Sequence, residues 1–169
     1  MTEVSGQPLV DDGDIPNNPR FPLLVYKAAV DGRGDAEDAL EALFSRNGWG
    51  NGWRGGVIYD FHHYHSTTHE VVGIGAGTAR IQFGGPQGPV FDVAAGDAVL
   101  IPAGVGHCRL DGDPELSVVA AYPPGCVPDM CRQGERDPLA VRKRIAAAGV
   151  PEKDPILGVE GGVSRLWPG

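Results

Sequence analysis

The chain has 169 residues, with 22 acidic and 14 basic side chains and a formal net charge of −8. This length suits one domain with a buried core. The negative balance argues against a nucleic-acid partner, which requires an extended basic surface. The 41% of hydrophobic residues predict a folded protein, and no apolar run reaches the length of a membrane span.

The start of the chain and its cysteines indicate a compartment. The first residues lack a basic segment followed by an apolar stretch, so we expect no secretory signal. The three cysteines (Cys108, Cys126 and Cys131) are too few, and odd in number, for a disulfide framework. Reduced thiols in a cytoplasmic protein are the simpler interpretation.

The first predicted elements follow a polar arm at residues 1–20, in which Pro16–Pro19 favours a loose or draped path. A strand is predicted within residues 21–30. A helix is predicted over residues 35–46, where apolar residues recur at helical spacing and Asp35 is placed to cap the N-terminus. A loop rich in glycine and tryptophan then runs to residue 56.

Short apolar runs separated by glycines occupy the centre of the chain. Their spacing predicts an antiparallel sandwich or barrel. The predicted strands are Val57–His65, Glu70–Ile74, Ala79–Phe83, Val90–Val93, Ala98–Ile101, His107–Leu110 and Leu116–Ala121. A second helix is predicted over residues 137–148, and the last twenty residues resemble a loop.

These elements divide the chain into three parts. We expect an N-terminal arm at residues 1–20 and a β-barrel with an N-terminal strand and helix at residues 21–127. Residues 128–169 are expected to form a C-terminal helix and a tail that pack on the barrel.

The five histidines are the strongest indication of function. Four lie within eight residues (His62, His63, His65 and His69), and the fifth is His107. Such a cluster is typical of a site for a divalent metal, because imidazole suits the mid-series ions and a site needs several converging ligands. Alternation along a strand places His63 and His65 on one face and His62 on the other.

Two further residues complete the predicted site. After a turn at residues 66–68, Glu70 can return on the partner strand and face the same interior. The remaining ligand must come from elsewhere, and His107 follows a tight turn at residues 102–106. We therefore predict one divalent ion per chain, bound by His63, His65, Glu70 and His107.

Each assignment has an alternative. The four residues can be ordinary buried polar groups paired to one another, although such burial is costly without an ion. His62 is expected to face outward. His69 is also expected to point away, with a ligand or supporting role left open.

Three residues near the site are candidates for substrate binding. By alternation, Tyr59 and Phe61 share the inner face with the histidines, where they either shape a pocket or pack in the core. Arg109 either points inward, where a substrate carboxylate is its natural partner, or forms a surface salt bridge after a strand bulge.

Two segments resemble the motifs of the cupin superfamily. The first motif is similar to a segment that begins with His63-Tyr64-His65, continues after four residues with Glu70, and ends after six more residues with Gly77. The second motif, as far as its histidine, is similar to a segment that begins with Gly96, continues after five residues with Pro102-Ala103-Gly104, and reaches His107 after two more residues. There are two departures: Val57 stands where a glycine is usual, and Asp111 where the second motif usually ends in asparagine. Neither position is a metal ligand in the family.

The resemblance implies an all-β fold, the double-stranded β-helix or cupin jelly-roll barrel, with a few peripheral helices. It also implies a homodimer. Further segments, including Tyr122–Gly125 and Leu166-Trp167, look like those of a group of uncharacterised bacterial single-domain cupins, for which no reaction is assigned.

The predicted function follows from the ligand set. Three imidazoles and one carboxylate leave open positions on an octahedral ion, and Glu70 can also leave the metal to act as a base. The resemblance implies dioxygenase, oxidase, decarboxylase or isomerase chemistry on small organic acids and enols. We predict a metal-dependent enzyme (Fe, Mn, Ni, Co or Zn) acting on a small organic substrate, with oxidoreductase or dioxygenase chemistry slightly favoured.

Two alternatives stay open. The first is a non-catalytic, metal-containing module that binds or senses a small molecule. The second is a metal-dependent isomerase or decarboxylase. A phosphosugar isomerase is the weakest form of the second, because Arg80 and Arg109 are the only arginines available on the predicted strands.

Overall fold

The structure is a computed structural model that describes residues 1–134 and 137–169. Over these residues the strands are β1 (Glu3–Gln7), β2 (Leu23–Lys27), β3 (Gly50–Gly56), β4 (His63–Tyr64), β5 (Glu70–Ala76), β6 (Thr78–Phe83), β7 (Val90–Ala94), β8 (Ala98–Ile101), β9 (His107–Gly112), β10 (Ser117–Tyr122) and β11 (Cys131–Arg132). The helices are α1 (Ala36–Arg46), α2 (Pro138–Ala147) and α3 (Gly162–Leu166).

The strands form two antiparallel sheets. One has the order β1-β2-β8-β5-β10-β3 and the other has the order β11-β4-β9-β6-β7. From β4 onward the chain crosses repeatedly between the sheets, so that β8, β9, β10 and β11 alternate between them. This is the all-β, double-stranded β-helix of cupin-like folds, and the predicted fold class is confirmed.

The core lies on both faces of the six-stranded sheet. Between the two sheets, residues from each sheet form one apolar cluster, which includes Leu23, Val25, Val72, Ile81 and Phe83. On the outer face, α1 and the C-terminal segment cover a second cluster, including Leu24, Leu40, Phe44, Leu100 and Trp167. Because both faces are covered, β2 and β8 are apolar at nearly every position rather than alternating.

Helix α1 forms where its pattern predicts it. The Asp35 carboxylate accepts a hydrogen bond from the Asp38 backbone N–H, as expected of an N-cap. The helix buries Leu40, Leu43 and Phe44 against the sheet.

The N-terminal arm differs from the predicted loose path. Residues 3–7 pair with β2 as strand β1, and Asn17 is buried. The Asn17 amide donates to the carbonyl oxygens of Val10 (2.7 Å) and Gly84 (3.0 Å), while its Oδ1 accepts from the Gly106 N–H (3.1 Å). The polar side chain of Asn17 thus forms hydrogen bonds with buried backbone groups next to the turn that precedes His107.

Three other segments differ from their predictions. Residues 50–56, predicted as a loop, form edge strand β3, because backbone pairing with β10 needs no apolar side chains. The predicted strand Val57–His65 is reduced to β4. Residues 162–166 form a short helix in the tail. Among the described residues, no helix has both the length and the apolarity needed to cross a bilayer.

Candidate metal centre

Strand pairing brings the first two histidines together. His63 in β4 lies directly opposite His107 in β9, and the centroids of their rings are 4.1 Å apart. His65 follows one residue after β4, with its ring centroid 5.5 Å from that of His107. The three side chains are buried, and each offers a ligand atom within 4.8 Å of the others. The cluster predicted from the spacing of His63, His65 and His107 therefore exists in the fold.

Glu70 lies against the same cluster from the first residue of β5. Its Oε1 is 3.5 Å from Nε2 of His107, and its Oε2 is 3.6 Å from Nε2 of His65. Two ligands bound to one ion at about 2.1 Å each can be at most ~4.2 Å apart. These two separations are compatible with ligands that share an ion, whereas the group whose ligand atoms all lie within 4.8 Å of one another comprises His63, His65 and His107 without Glu70.

Hydrogen bonds orient all three rings. Each Nδ1 donates to a backbone carbonyl oxygen. His63 donates to Phe61 (3.0 Å), His107 donates to Val105 (3.1 Å), and His65 donates to Asp129. A carbonyl can only accept, so each Nδ1 carries the hydrogen and each Nε2 is left as the ligand atom. Bound metal ions are typically supported by such contacts to the far nitrogen of their histidines.

The electrostatics of the cluster suit a cation. Burial, together with the neighbouring His107, lowers the pKa of His63 to about 3, so this imidazole is neutral. Burial raises the pKa of Glu70, but the contacts with His107 and His65 outweigh it and hold this pKa below its usual range. Burial lowers the pKa of His65, and Glu70 and Asp129 more than reverse that effect. Metal ligands must be deprotonated, so a cation entering the site would compete with protons for these side chains.

Tyr122 also contacts the Glu70 carboxylate, an interaction that the sequence analysis missed. Its O–H donates to Glu70 Oε2 at 2.6 Å, and the Trp53 indole N–H donates to the Tyr122 oxygen at 3.3 Å. Ala121 pairs with Val71, which places Tyr122 beside Glu70 on the neighbouring strand. In the sequence, Tyr122 directly follows the predicted strand Leu116–Ala121 and begins the Tyr122–Gly125 segment, and neither feature assigns it a role at the site.

Asp129 supports His65 from a loop far along the chain. Its carbonyl accepts from His65, and its carboxylate accepts from the backbone N–H of Ser66 (2.6 Å) and from the Ser66 hydroxyl. This loop is placed by tertiary structure, so no local pattern predicts its role.

A cavity of about 480 Å³ opens onto the cluster. It is lined by Trp53, Gly56, Val57, Ile58, Tyr59, His63, His65, Glu70, His107, Tyr122, Pro128, Asp129 and Met130. A larger cavity of about 650 Å³ lies elsewhere, between the N-terminal arm and α2, and contains none of the histidines.

The three predicted substrate-binding residues occupy different places. Tyr59 lines the cavity and is 52% exposed. Phe61 and Arg109 are not among the described residues that line this cavity. The Phe61 ring packs 5.4 Å from that of His63, and the Arg109 Nε–H donates to the Ile58 carbonyl (2.9 Å). The predicted binding roles of Phe61 and Arg109 stay predictions.

The remaining two histidines lie outside the cluster. His62 is half-buried. His69 is buried, and its Nδ1 accepts from the Ala103 N–H (2.9 Å) while its Nε2–H donates to the Gly149 carbonyl (2.9 Å). His69 therefore ties the end of α2 to the turn that precedes His107.

Comparison with known proteins identifies one relative. The chain is 43% identical over 157 residues to the uncharacterized protein YjlB of Bacillus subtilis (strain 168). The match covers 93% of this chain and 92% of YjlB. No protein-family model matches the chain.

Two solved structures are similar at a low level. One is Streptomyces albus HEPD with 2-hydroxyethylphosphonate and Fe(II) bound, at 12% identity and a TM-score of 0.32; the match covers 88% of this chain but only 23% of HEPD. The other is acireductone dioxygenase from Bacillus anthracis with a cadmium ion in its active centre, at 16% identity, a TM-score of 0.38, and coverage of 76% and 82%. TM-scores this low carry no information on substrate or reaction. The relative that spans nearly the whole chain decides the family: this protein belongs to the family of Bacillus subtilis YjlB.

Proposed function

We propose that this chain is a metal-dependent enzyme of the cupin type that acts on a small organic molecule by dioxygenase-type oxidoreductase chemistry. One divalent ion would be held by His63, His65, Glu70 and His107. The observation that carries the proposal is the convergence of three buried, oriented imidazoles and a buried carboxylate at the floor of an open cavity.

The chemistry of the donor set supports a metal. Burying three imidazoles and a carboxylate is costly unless each polar atom has a partner, and an ion satisfies all four at once. Imidazole with one carboxylate suits Fe, Mn, Ni, Co or Zn. A divalent ion bound there would supply a Lewis acid for substrate oxygen atoms and, if redox-active, electron-transfer chemistry with dioxygen.

The neighbouring residues fit this role. Tyr122 holds Oε2 of Glu70 and so fixes the orientation of this carboxylate beside the histidines. The low pKa of Glu70 favours the ionised carboxylate, which suits a ligand more than a strong base. Tyr59 at the cavity wall would contact the substrate.

Metal loading followed by turnover tests the proposal. Protein loaded separately with Fe(II), Mn(II), Ni(II) or Zn(II) is given a panel of enols and catechols, and oxygen uptake and product are followed. We expect oxygen uptake with at least one redox-active ion, above that of the same ion with the His63→Ala, His107→Ala double variant. Binding of the panel without turnover under any ion would indicate a binding module instead. Substrate loss without oxygen uptake would indicate an isomerase or decarboxylase.

A further inference from the structure

The wall of the metal cavity is aromatic and apolar above the ligands. Trp53, Val57, Ile58, Tyr59, Pro128 and Met130 contribute to it. Trp53, Tyr59 and Met130 are 38%, 52% and 37% exposed, so these residues form a partly exposed apolar rim. Aromatic rings and a methionine thioether favour contact with the face or edge of another ring.

Positive charge is absent from the described part of the same wall. Of the lining residues that the structure describes, within 1–134 and 137–169, none is Lys or Arg. Three described arginines on neighbouring segments contact other groups: Arg109 donates to the carbonyl of the lining residue Ile58 (2.9 Å), Arg132 lies over the Phe61 ring (3.9 Å), and Arg54 pairs with Asp38 (2.7 Å) and Glu41 (3.0 Å).

The lining carries two acidic residues, Glu70 and Asp129. The Asp129 carboxylate accepts from the Ser66 N–H (2.6 Å) and lies 3.9 Å from Nε of Arg144, and a divalent ion would balance the charge of Glu70. A substrate carboxylate or phosphate that does not reach the ion would find no Lys or Arg partner among the described lining residues. Burial of an unpaired anion is strongly unfavourable.

We propose that the cavity selects a neutral aromatic molecule that presents hydroxyl or enol oxygens to the ion and carries no further anionic group. This rests on the proposed function, since the ion anchors the oxygens. The volume of about 480 Å³ accommodates such a molecule, and the apolar rim contacts its ring.

A matched pair of probes tests the substrate class. Catechol and 3,4-dihydroxybenzoate share the same chelating diol and differ by one carboxylate. Binding of each to the zinc-loaded protein, in which the ion is redox-inert, is measured by calorimetry and corrected for binding to free zinc. We expect catechol to bind at least about tenfold more tightly than the benzoate. Equal or tighter binding of 3,4-dihydroxybenzoate would overturn the proposal.

A charge introduced in the wall should change the preference. Val57 is 46% exposed, so Val57→Lys places an ammonium at the cavity without burying it. We expect the affinity of 3,4-dihydroxybenzoate relative to that of catechol to rise about fivefold. Val57→Gln, which is neutral, and Val90→Lys, which adds the same charge on β7 outside the lining, should give no gain. An equal gain for both probes, or in either control, would contradict the proposal.

The failures can be told apart. If the parent takes up no zinc, the proposed function itself fails, and the inference with it. If zinc binds and neither diol does, the metal site stands and the substrate class is wrong.

Discussion

Tyr122 sets how Glu70 presents its carboxylate to the ligand cluster. Burial, together with the charge and hydrogen bond of Glu70, raises the pKa of Tyr122, so the hydroxyl keeps its proton and donates to Oε2. A buried carboxylate oxygen without that donor would lose part of its stabilisation and its orientation. Tyr122 is therefore a positioning residue for the predicted ligand.

Tyr122→Phe removes this single hydrogen bond and leaves the ring. We expect zinc affinity, measured by competition with a chromophoric chelator, to fall about tenfold, as is typical when a supporting contact of a ligand is lost. Tyr59→Phe, at the rim of the same cavity, is the matched control and should retain the affinity of the parent. Equal affinities for the parent and Tyr122→Phe would show that Glu70 does not need this contact.

His69 has two backbone partners, which predicts a structural role. His69→Ala would leave the Ala103 N–H and the Gly149 carbonyl without their partner, so we expect the free energy of unfolding in urea to fall by about 3 kcal/mol. The metal content of the folded variant should equal that of the parent. Loss of metal from a variant that remains as stable as the parent would instead make His69 a ligand.

At this scale the sequence predicts the histidines and Glu70 but not their supports. The ligands lie on short, regular spacings that strand alternation can interpret. Tyr122 and Asp129 reach the site from positions 52 and 64 residues away from their partners, Glu70 and His65. Contacts of that separation depend on sheet order and loop placement, which no local pattern gives.

At the scale of elements, the glycines of β5 allow α1 to pack closely on the sheet. Gly77, with φ of 76°, lies between β5 and β6, so Gly73 and Gly75 belong to the strand and not to the turn. A Cβ added at Gly73 would lie 2.9 Å from Leu40, and one at Gly75 would lie 2.9 Å from Glu37. These glycines are strand positions that make room for the helix.

Gly73→Ala should therefore destabilise the fold. The added methyl group meets Leu40 and Phe44 and forces α1 outward, so we expect a loss of about 1–3 kcal/mol in the free energy of unfolding. Gly50→Ala on β3 is the matched control, because a Cβ there meets nothing within 4 Å. Its stability should stay within about 0.5 kcal/mol of the parent. If both variants are equally stable, the close packing of α1 does not explain the glycine.

Elements with side-chain periodicity were predictable, and those made by backbone pairing were not. Helix α1 and strands β5 to β10 follow apolar spacing. Strand β3 consists mainly of glycine and polar residues and forms because β10 offers it a backbone partner. Strand β1 likewise forms from a polar segment by pairing with β2.

At the scale of the molecule, the two motifs and the many short strands predicted the jelly roll. The crossing of the chain between sheets brings β4, β5 and β9 to one end of the barrel, where the ligand cluster lies. The homodimer, the cytoplasmic location and the division at residues 20 and 127 stay predictions, because they depend on contacts beyond the described fold or on boundaries that no observation tests.

The most direct test of the metal centre is elemental analysis of protein purified without a histidine tag. We expect close to one divalent ion per chain in the parent and in His62→Ala, a control histidine outside the cluster, and none in the His63→Ala, His107→Ala double variant. A parent without metal, even after reconstitution with Fe, Mn, Ni, Co or Zn, would contradict the account and leave the barrel without its proposed ion.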